Sequence, residues 1–263
     1  MLWKLLLIGT VEGITEWLPI SSTGHMLLLD AYSPLPMSEQ FKEMFFVVIQ
    51  LGAILAVAAV YWQRLWPLDN RGQLRREALS LWCKTIVGCI PAGALGLLLD
   101  DFLEARFGTP ATIAAMLILY GAAFLLIEAR PRPATVHCVG AMPYPTVLAI
   151  GCFQALAMIP GTSRSGATIV GALLLGVSRT AAAEYSFFLA IPTMLGASGL
   201  KLMKFGWDFT LEEGCVLFVG MVTAFAVSML TIRFLTDYVR RHDFKVFGWY
   251  RIALGVLVLT VIR

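Results

Sequence analysis

The chain has 263 residues, 59% hydrophobic and 14% charged, with a net charge of +3 and a mean hydropathy of +0.79. A soluble domain carries about 45–50% apolar and roughly 25% charged residues, so this composition excludes a water-soluble protein and points to an integral membrane one. The small net charge, with no basic run interleaved with aromatics, excludes nucleic-acid binding. Cys83, Cys89, Cys138, Cys152 and Cys215 contain no C-x-x-C pair and act as small hydrophobes. Leu5–Ile8 resembles a signal h-region, but Glu12 and Glu16 follow where a small-residue cleavage site would stand, so this segment is expected to stay on the mature chain.

The first apolar segment is interrupted. Leu2–Leu18 and Leu27–Leu29 flank the polar centre Pro19-Ile-Ser-Ser-Thr-Gly-His25. Three apolar stretches follow, Phe41–Trp62, Ser80–Leu99 and Thr109–Ile127, each near the length of about 20 residues that a spanning helix needs. The pattern then recurs. Val147–Ile159 and Ala167–Val177 flank Pro160-Gly-Thr-Ser-Arg-Ser-Gly166, and the spans Tyr185–Met203, Cys215–Leu235 and Phe247–Ile262 close the chain. Charge, proline or interfacial aromatics such as Tyr61, Trp62, Trp66, Trp207, Trp249 and Tyr250 bound these stretches. The arms around each polar centre are too short to span, and a helix-stopping Pro with hydroxyl residues predicts a re-entrant hairpin whose exposed backbone lines a cavity.

The two broken regions look like copies. Pro19 and Pro160 are 141 residues apart, as are Glu43 and Glu184, and Ile8-Gly9-Thr-Val-Glu12 matches Ile150-Gly151-Cys-Phe-Gln154. Gly88 pairs with Gly220 and Gly121 with Gly255 at slightly shorter spacings. The predicted fold is therefore an all-α polytopic membrane protein with six transmembrane helices plus two re-entrant helical hairpins. Residues 1–130 and 143–263 form the halves of an inverted-topology repeat within one membrane domain, because three spans per half turn the second half upside down. Arg64, Arg71, Arg75, Arg76, Lys84, Arg130, Arg132, Arg179, Arg240, Arg241 and Lys245 fall in or beside loops of one side, which the positive-inside rule makes cytoplasmic. Asp100, Asp101, Glu104, Asp208, Glu212 and Glu213 fall outside, with Lys201 and Lys204 as the exception. Both termini are then outside, and the hairpin tips meet near the midplane.

The tips carry the chemistry. Glu12 and Glu16 are i and i+4 on one helix face, where like charges repel unless a cation bridges them. An ionised side chain at membrane depth costs about 2.5–3.5 kcal/mol even on lenient scales. The compensating cation is either a metal or Arg164, on the opposite tip. Ser21, Ser22 and Thr23 on one tip, with Thr162, Ser163, Ser165 and Thr168 on the other, exceed what two helix caps require. Hydroxyls and a guanidinium at half-helix N-termini make an anion site, and the arginine fork suits phosphate oxygens. The carboxylates add the means to hold Mg²⁺ or Ca²⁺. His25 is either a hydrogen-bonded structural group or a proton donor or nucleophile, whereas His137 and His242 fall in solvated loops. On physics alone, a transporter or flippase for a lipid phosphate or small anion competes with an enzyme, since broken helices at the midplane are also a transporter architecture. Paired carboxylates beside an anion favour the enzyme.

Glu12-Gly-Ile-Thr-Glu16-Trp-Leu-Pro-Ile-Ser-Ser22-Thr-Gly-His25 and Pro160-Gly-Thr-Ser163-Arg164-Ser165-Gly-Ala-Thr168 resemble the two signatures of the undecaprenyl-diphosphate phosphatases, also called the bacitracin-resistance family. The segments from Phe45 to Ala53 and from Gly176 to Arg179 extend the likeness. The resemblance implies hydrolysis of the C55 isoprenyl diphosphate to the monophosphate lipid carrier and phosphate. It also implies a divalent cation (Mg²⁺ or Ca²⁺), membrane lipid as surroundings, a bacterial inner-membrane location and a site opening to the periplasm; it leaves open whether the chain forms a homodimer. By the same resemblance Arg164, with Thr23, Ser163, Ser165 and Thr168, would bind the diphosphate, and Glu12 and Glu16 would bind the metal. Glu16 would also take a proton, Ser22 would be the nucleophile, and His25 would be an acid or orienter. Attack by His25 or by a metal-activated water remains open at this point.

Overall fold

The computed structural model describes residues 1–131 and 133–262. Arg132 and the side chains of Asp100, Asp101 and Glu104, which the loop-charge argument used, lie outside the described residues. Among the described residues the chain is helical with no strand, and two isolated backbone bridges join Leu68 to Leu74 and Val136 to Val177.

The first pair of helices is α1 (Leu2–Thr15) and α2 (Ser22–Tyr32). Then α3 (Glu39–Val48) and α4 (Gln50–Val60) continue as one apolar rod with a break only at Ile49, followed by the single turn α5 (Trp62–Leu65). Next come α6 (Arg76–Phe107) and α7 (Pro110–Ala129). A second short pair, α8 (Tyr144–Ala155) and α9 (Arg164–Leu174), precedes the long helices α10 (Arg179–Phe205) and α11 (Leu211–Arg241), and α12 (Lys245–Val261) ends the chain.

Among the described residues five helical segments are long and apolar enough to cross a membrane: Glu39–Val60, Arg76–Leu99, Pro110–Ala129, Arg179–Phe205 and Leu211–Arg241. They correspond to five of the six expected spans. Four begin earlier than their apolar stretches, at Glu39 rather than Phe41, Arg76 rather than Ser80, Arg179 rather than Tyr185 and Leu211 rather than Cys215. The opening turns there hold charged and capping residues, which hydropathy discounts but a helix accepts; Ser178 caps α10 by accepting from Ala181 N–H. The Thr210–Glu213 capping box starts α11, and Thr109 followed by Pro110 starts α7. The sixth stretch is α12, whose 17 residues rise about 26 Å at 1.5 Å each. Leu97, Leu98, Leu126, Phe218 and Leu230 are largely exposed on the outside of the bundle, the surface a lipid-embedded protein presents. These helices make the chain a multi-pass membrane protein.

Helices meet where small residues let backbones approach. On the α1–α11 face a Cβ at Gly9 would lie 2.9 Å from the Gly220 carbonyl oxygen, and on the α8–α6 face a Cβ at Gly151 would overlap the Gly88 carbonyl. A Cβ at Gly52 on α4 would likewise collide with the Met221 carbonyl on α11. Neither backbone can yield, so Gly52→Ala is expected to destabilise by about 2 kcal/mol or more, seen as a lower melting temperature in detergent. Gly196→Ala, on α10 in open space, is the matched control, expected to be neutral or stabilising by about 0.5–1 kcal/mol.

One end of the bundle is tied by charge. Arg179 pairs with Glu128, whose Oε1 also accepts from the Phe244 N–H at 3.1 Å, and Arg64 pairs with Glu184 at 2.7 Å. The C-terminal end of α7, the starts of α10 and α12, and α5 thus lie together. At the centre, Trp17, Tyr185, Phe187, Phe188 and Phe124 are fully buried and back the two short helix pairs.

Candidate active site

The two breaks are shorter than the polar motifs that announce them. Helix α1 ends at Thr15 and α2 restarts at Ser22; α8 runs on from Ala155 through a 3-10 turn, Leu156–Met158, so the second break runs from Ile159 to Ser163. Ser22, Thr23 and His25 therefore lie in the opening turns of α2, and Arg164, Ser165 and Thr168 in those of α9. A half-helix can start inside its polar motif because its first N–H groups need acceptors that hydroxyls supply. Ser163 does this, its Oγ accepting from Gly166 N–H at 3.2 Å. Ser21 and Ser163, the residues just before each second arm, are the two described non-glycine residues with positive φ, 75° and 68°. Matching backbone strain at both tips marks a place where the surrounding fold overrides local preference. At Gly161, φ is 91° and a Cβ would press on the Ile113 backbone, so the second tip needs glycine there.

Glu16 is the hub. Its Oε1 accepts from Arg164 Nη2 at 3.0 Å, and its Oε2 accepts from the Ser22 hydroxyl at 2.8 Å. Both members of the Glu16–Arg164 pair are almost buried, so each supplies the counter-charge that makes the other tolerable at this depth. Arg164 also donates through Nη1 to the Ser186 carbonyl at 2.5 Å, and its guanidinium lies 5.7 Å from the Trp17 ring centre. Its Nε is buried with no acceptor. Glu12, one turn before Glu16, is 1% exposed, and its Oε1 has no hydrogen-bond partner.

The remaining sequence-predicted residues divide. Ser165 is buried and its hydroxyl reaches back to the Glu16 carbonyl at 3.2 Å, joining the tips. Thr168 is buried one turn further along, 2.9 Å from the Arg164 carbonyl and 2.8 Å from Ser186 Oγ. Thr23 is exposed and outside this hydrogen-bonded cluster. His25 lies one turn after Ser22 on the same face, with Nδ1 2.7 Å from the Ser21 carbonyl and Nε2 2.7 Å from the Tyr250 hydroxyl. A carbonyl can only accept, so Nδ1 carries the proton, and in the neutral ring Tyr250 donates to Nε2. Among the described residues no group of three or more His, Cys, Asp or Glu gathers. The two carboxylates nevertheless suit Mg²⁺, which binds through one or two carboxylates and substrate phosphates instead of a full protein cage.

Three neighbours of the site were missed in the sequence: Ser186 behind Arg164, Tyr250 on His25, and Arg251, fully buried and bonded to Pro19, Gly161 and Thr162 in the two breaks. For Arg251 the signal existed, as a charge inside the expected span Phe247–Ile262 is a functional marker by default.

The fold and site together define a multi-pass membrane protein with a buried centre of carboxylates, hydroxyls and a guanidinium, the chemistry that handles phosphate oxygens. A family profile described as Bacitracin resistance protein BacA matches residues 5–257, and the chain belongs to that family. It is 59% identical to the undecaprenyl-diphosphatase of Enterococcus faecalis, over 98% of this chain and 96% of the relative. It is 57% identical to that of Desulfitobacterium hafniense, over 98% and 95%, and 52% identical to undecaprenyl-diphosphatase 1 of Clostridium acetobutylicum, over 98% and 96%.

Proposed function

We propose that this chain hydrolyses undecaprenyl diphosphate to undecaprenyl phosphate and inorganic phosphate at the Glu16–Ser22–Arg164 cluster. The activity recycles the cell-wall lipid carrier and confers bacitracin resistance. The observation that carries the reading is one carboxylate holding a hydroxyl at 2.8 Å on one oxygen and a guanidinium at 3.0 Å on the other. A nucleophile within hydrogen-bond reach of its base, with that base oriented by a third group, is the arrangement of covalent catalysis.

In this mechanism the diphosphate lies at the start of α9, with phosphate oxygens on Arg164 and the Ser163 hydroxyl. The unpartnered Nε of Arg164 keeps a donor free for one of them. Ser165 and Thr168 hold that turn in shape from behind. Ser22 Oγ attacks the terminal phosphorus while Glu16 takes its proton; the bond to the bridging oxygen breaks and undecaprenyl phosphate departs. Glu16 passes that proton to the departing phosphate oxygen and, a carboxylate again, takes one from the water that hydrolyses the phosphoserine; it returns this proton to Ser22 Oγ as phosphate leaves. His25, held by Ser21 and Tyr250, fixes the first turn of α2. Glu12, with its orphaned Oε1, and Glu16 would hold the divalent cation, Mg²⁺ or Ca²⁺, which when bound neutralises phosphate charge.

The finer architecture belongs to the same proposal: α12 as a sixth span, the two short helix pairs as re-entrant hairpins, and residues 1–130 and 143–263 as inverted repeats. The support is reciprocal. Gly9 of the first half packs on Gly220, while its counterpart Gly151 packs on Gly88, the counterpart of Gly220. Ser21 and Ser163 share their strained backbone. The end carrying Arg64, Arg179 and Lys245 is cytoplasmic by the positive-inside rule, which puts both termini and the site's opening on the periplasmic side.

Detergent-purified protein is expected to release phosphate from a C15 prenyl diphosphate. Release should fall to background with EDTA and return on adding Mg²⁺ or Ca²⁺. A folded protein that releases no phosphate under any metal condition would overturn the hydrolase reading in favour of a carrier.

A further inference from the structure

Arg251 is a charged side chain, 0% exposed, whose acceptors are backbone carbonyls and not carboxylates. Its Nη1 donates to the Pro19 carbonyl at 3.2 Å, and its Nη2 donates to the carbonyls of Gly161 at 3.0 Å and Thr162 at 2.8 Å. The guanidinium lies 5.5 Å from the Tyr120 ring centre, and a Cβ on Gly166 would sit 2.8 Å from Nη1. One side chain of α12 therefore joins both breaks, one from each half of the sequence, and closes against the first turn of α9.

The acceptors are not arbitrary points on those breaks. Pro19 stands midway between Glu16 and Ser22, so holding its carbonyl shapes the turn that brings the Ser22 hydroxyl onto the Glu16 carboxylate. Gly161 and Thr162 immediately precede Ser163 and Arg164, so holding theirs shapes the turn that delivers Arg164 to the other oxygen of Glu16. Both turns are strained at their last residue and need an external hold. A planar fork of fixed donors can satisfy acceptors on two loops at once, which an ammonium on a flexible stem does less well.

We propose that Arg251 is a positioning residue of the phosphatase, locking the two breaks in register so that Ser22, Glu16 and Arg164 meet. The proposal rests on the active-site reading above, and it assigns Arg251 no contact with substrate. Removing it should therefore cost turnover more than binding, because Arg164 and the apolar surroundings of the prenyl chain remain.

The test compares wild type, Arg251→Gln, Arg251→Lys and Arg164→Lys in detergent, with two readouts. The first is kcat and KM for a C15 prenyl diphosphate, scaled to the folded fraction; the second is backbone hydrogen exchange. Arg251→Gln is expected to lower kcat by about 100-fold, the cost of a misplacement near 1 Å, with KM changed less than about threefold. Arg251→Lys, which keeps the charge but not the fork, should recover only a minor part. Exchange should quicken about tenfold or more in peptides covering residues 16–22 and 159–164 in both Arg251 variants, with α7 and α11 unchanged. Full kcat in Arg251→Gln, full rescue by lysine, or exchange that rises throughout the molecule would each overturn the proposal. The failure of the active-site reading looks different: wild type would be inactive, or Arg164→Lys fully active, while the exchange pattern still shows whether Arg251 ties the breaks.

Discussion

Arg164→Lys is expected to lower kcat/KM for a prenyl diphosphate by about 10³-fold, the scale seen when a guanidinium is withdrawn from phosphoryl transfer. Lysine retains the positive charge, so the loss measures geometry. The guanidinium bridges Glu16 Oε1 and the Ser186 carbonyl through two different nitrogens, with Nε still free. An ammonium at the end of a flexible stem cannot hold both partners and also present a donor to a phosphate oxygen. Arg164→Ala should be as inactive and also unstable. It leaves Glu16 buried without its counter-charge, and removing one partner of a buried pair costs about 3–5 kcal/mol. Phosphate release and thermal unfolding, measured on both variants, separate the two effects. A lysine variant within tenfold of wild type would show that charge alone suffices and that the bridging geometry is incidental.

The extent to which this site was legible in the sequence follows from how each signal arises. Glu12, Glu16 and Arg164 stand out because charge is costly in an apolar run, whereas which carboxylate takes Arg164 as its partner is set by the packing of the two breaks and is not written in the spacing. Five of the spans are legible from apolar length, since a helix is the simplest way for so many consecutive apolar residues to satisfy their backbone in lipid. The division of labour among the hydroxyls is not legible. Ser163, Ser165 and Thr168 share one motif, yet one caps a helix, one reaches the opposite tip and one sits against Ser186. Those differences depend on which way a helix face turns, and the start of α9 at Arg164 sets that. Ser186 and Tyr250 carry no local signal at all. A lone serine in an apolar helix is ordinary, and a tyrosine beside Trp249 resembles an interfacial anchor, but its contact to His25 spans 225 residues of sequence.

Ser22→Ala is expected to abolish turnover, by about 10³-fold or more if Ser22 is the nucleophile, since removing a nucleophile leaves only what binding and charge stabilisation supply. The size of the effect discriminates among mechanisms. If a metal-activated water attacked directly, Ser22 would be one ligand among several, and its loss would cost about 10–100-fold, the range for a group that only orients others. If His25 attacked, His25→Ala would be the dead variant and Ser22→Ala the weakened one. The structure favours Ser22 on stereochemical grounds. Its hydroxyl proton already points at Glu16 Oε2, whereas both ring nitrogens of His25 are engaged, one by the Ser21 carbonyl and the other by Tyr250. An imidazole with no free lone pair must break the Tyr250 contact before it can attack. Acid quenching of a reaction with terminally labelled substrate should therefore trap phosphate on serine, stable to mild acid. A phosphohistidine would be lost under the same conditions. Glu16→Gln should remove the trapped species along with turnover, because the amide can still accept the Ser22 hydrogen bond but cannot carry the proton away. Label retained on the protein in Ser22→Ala would end the serine assignment, whichever residue then proved to hold it.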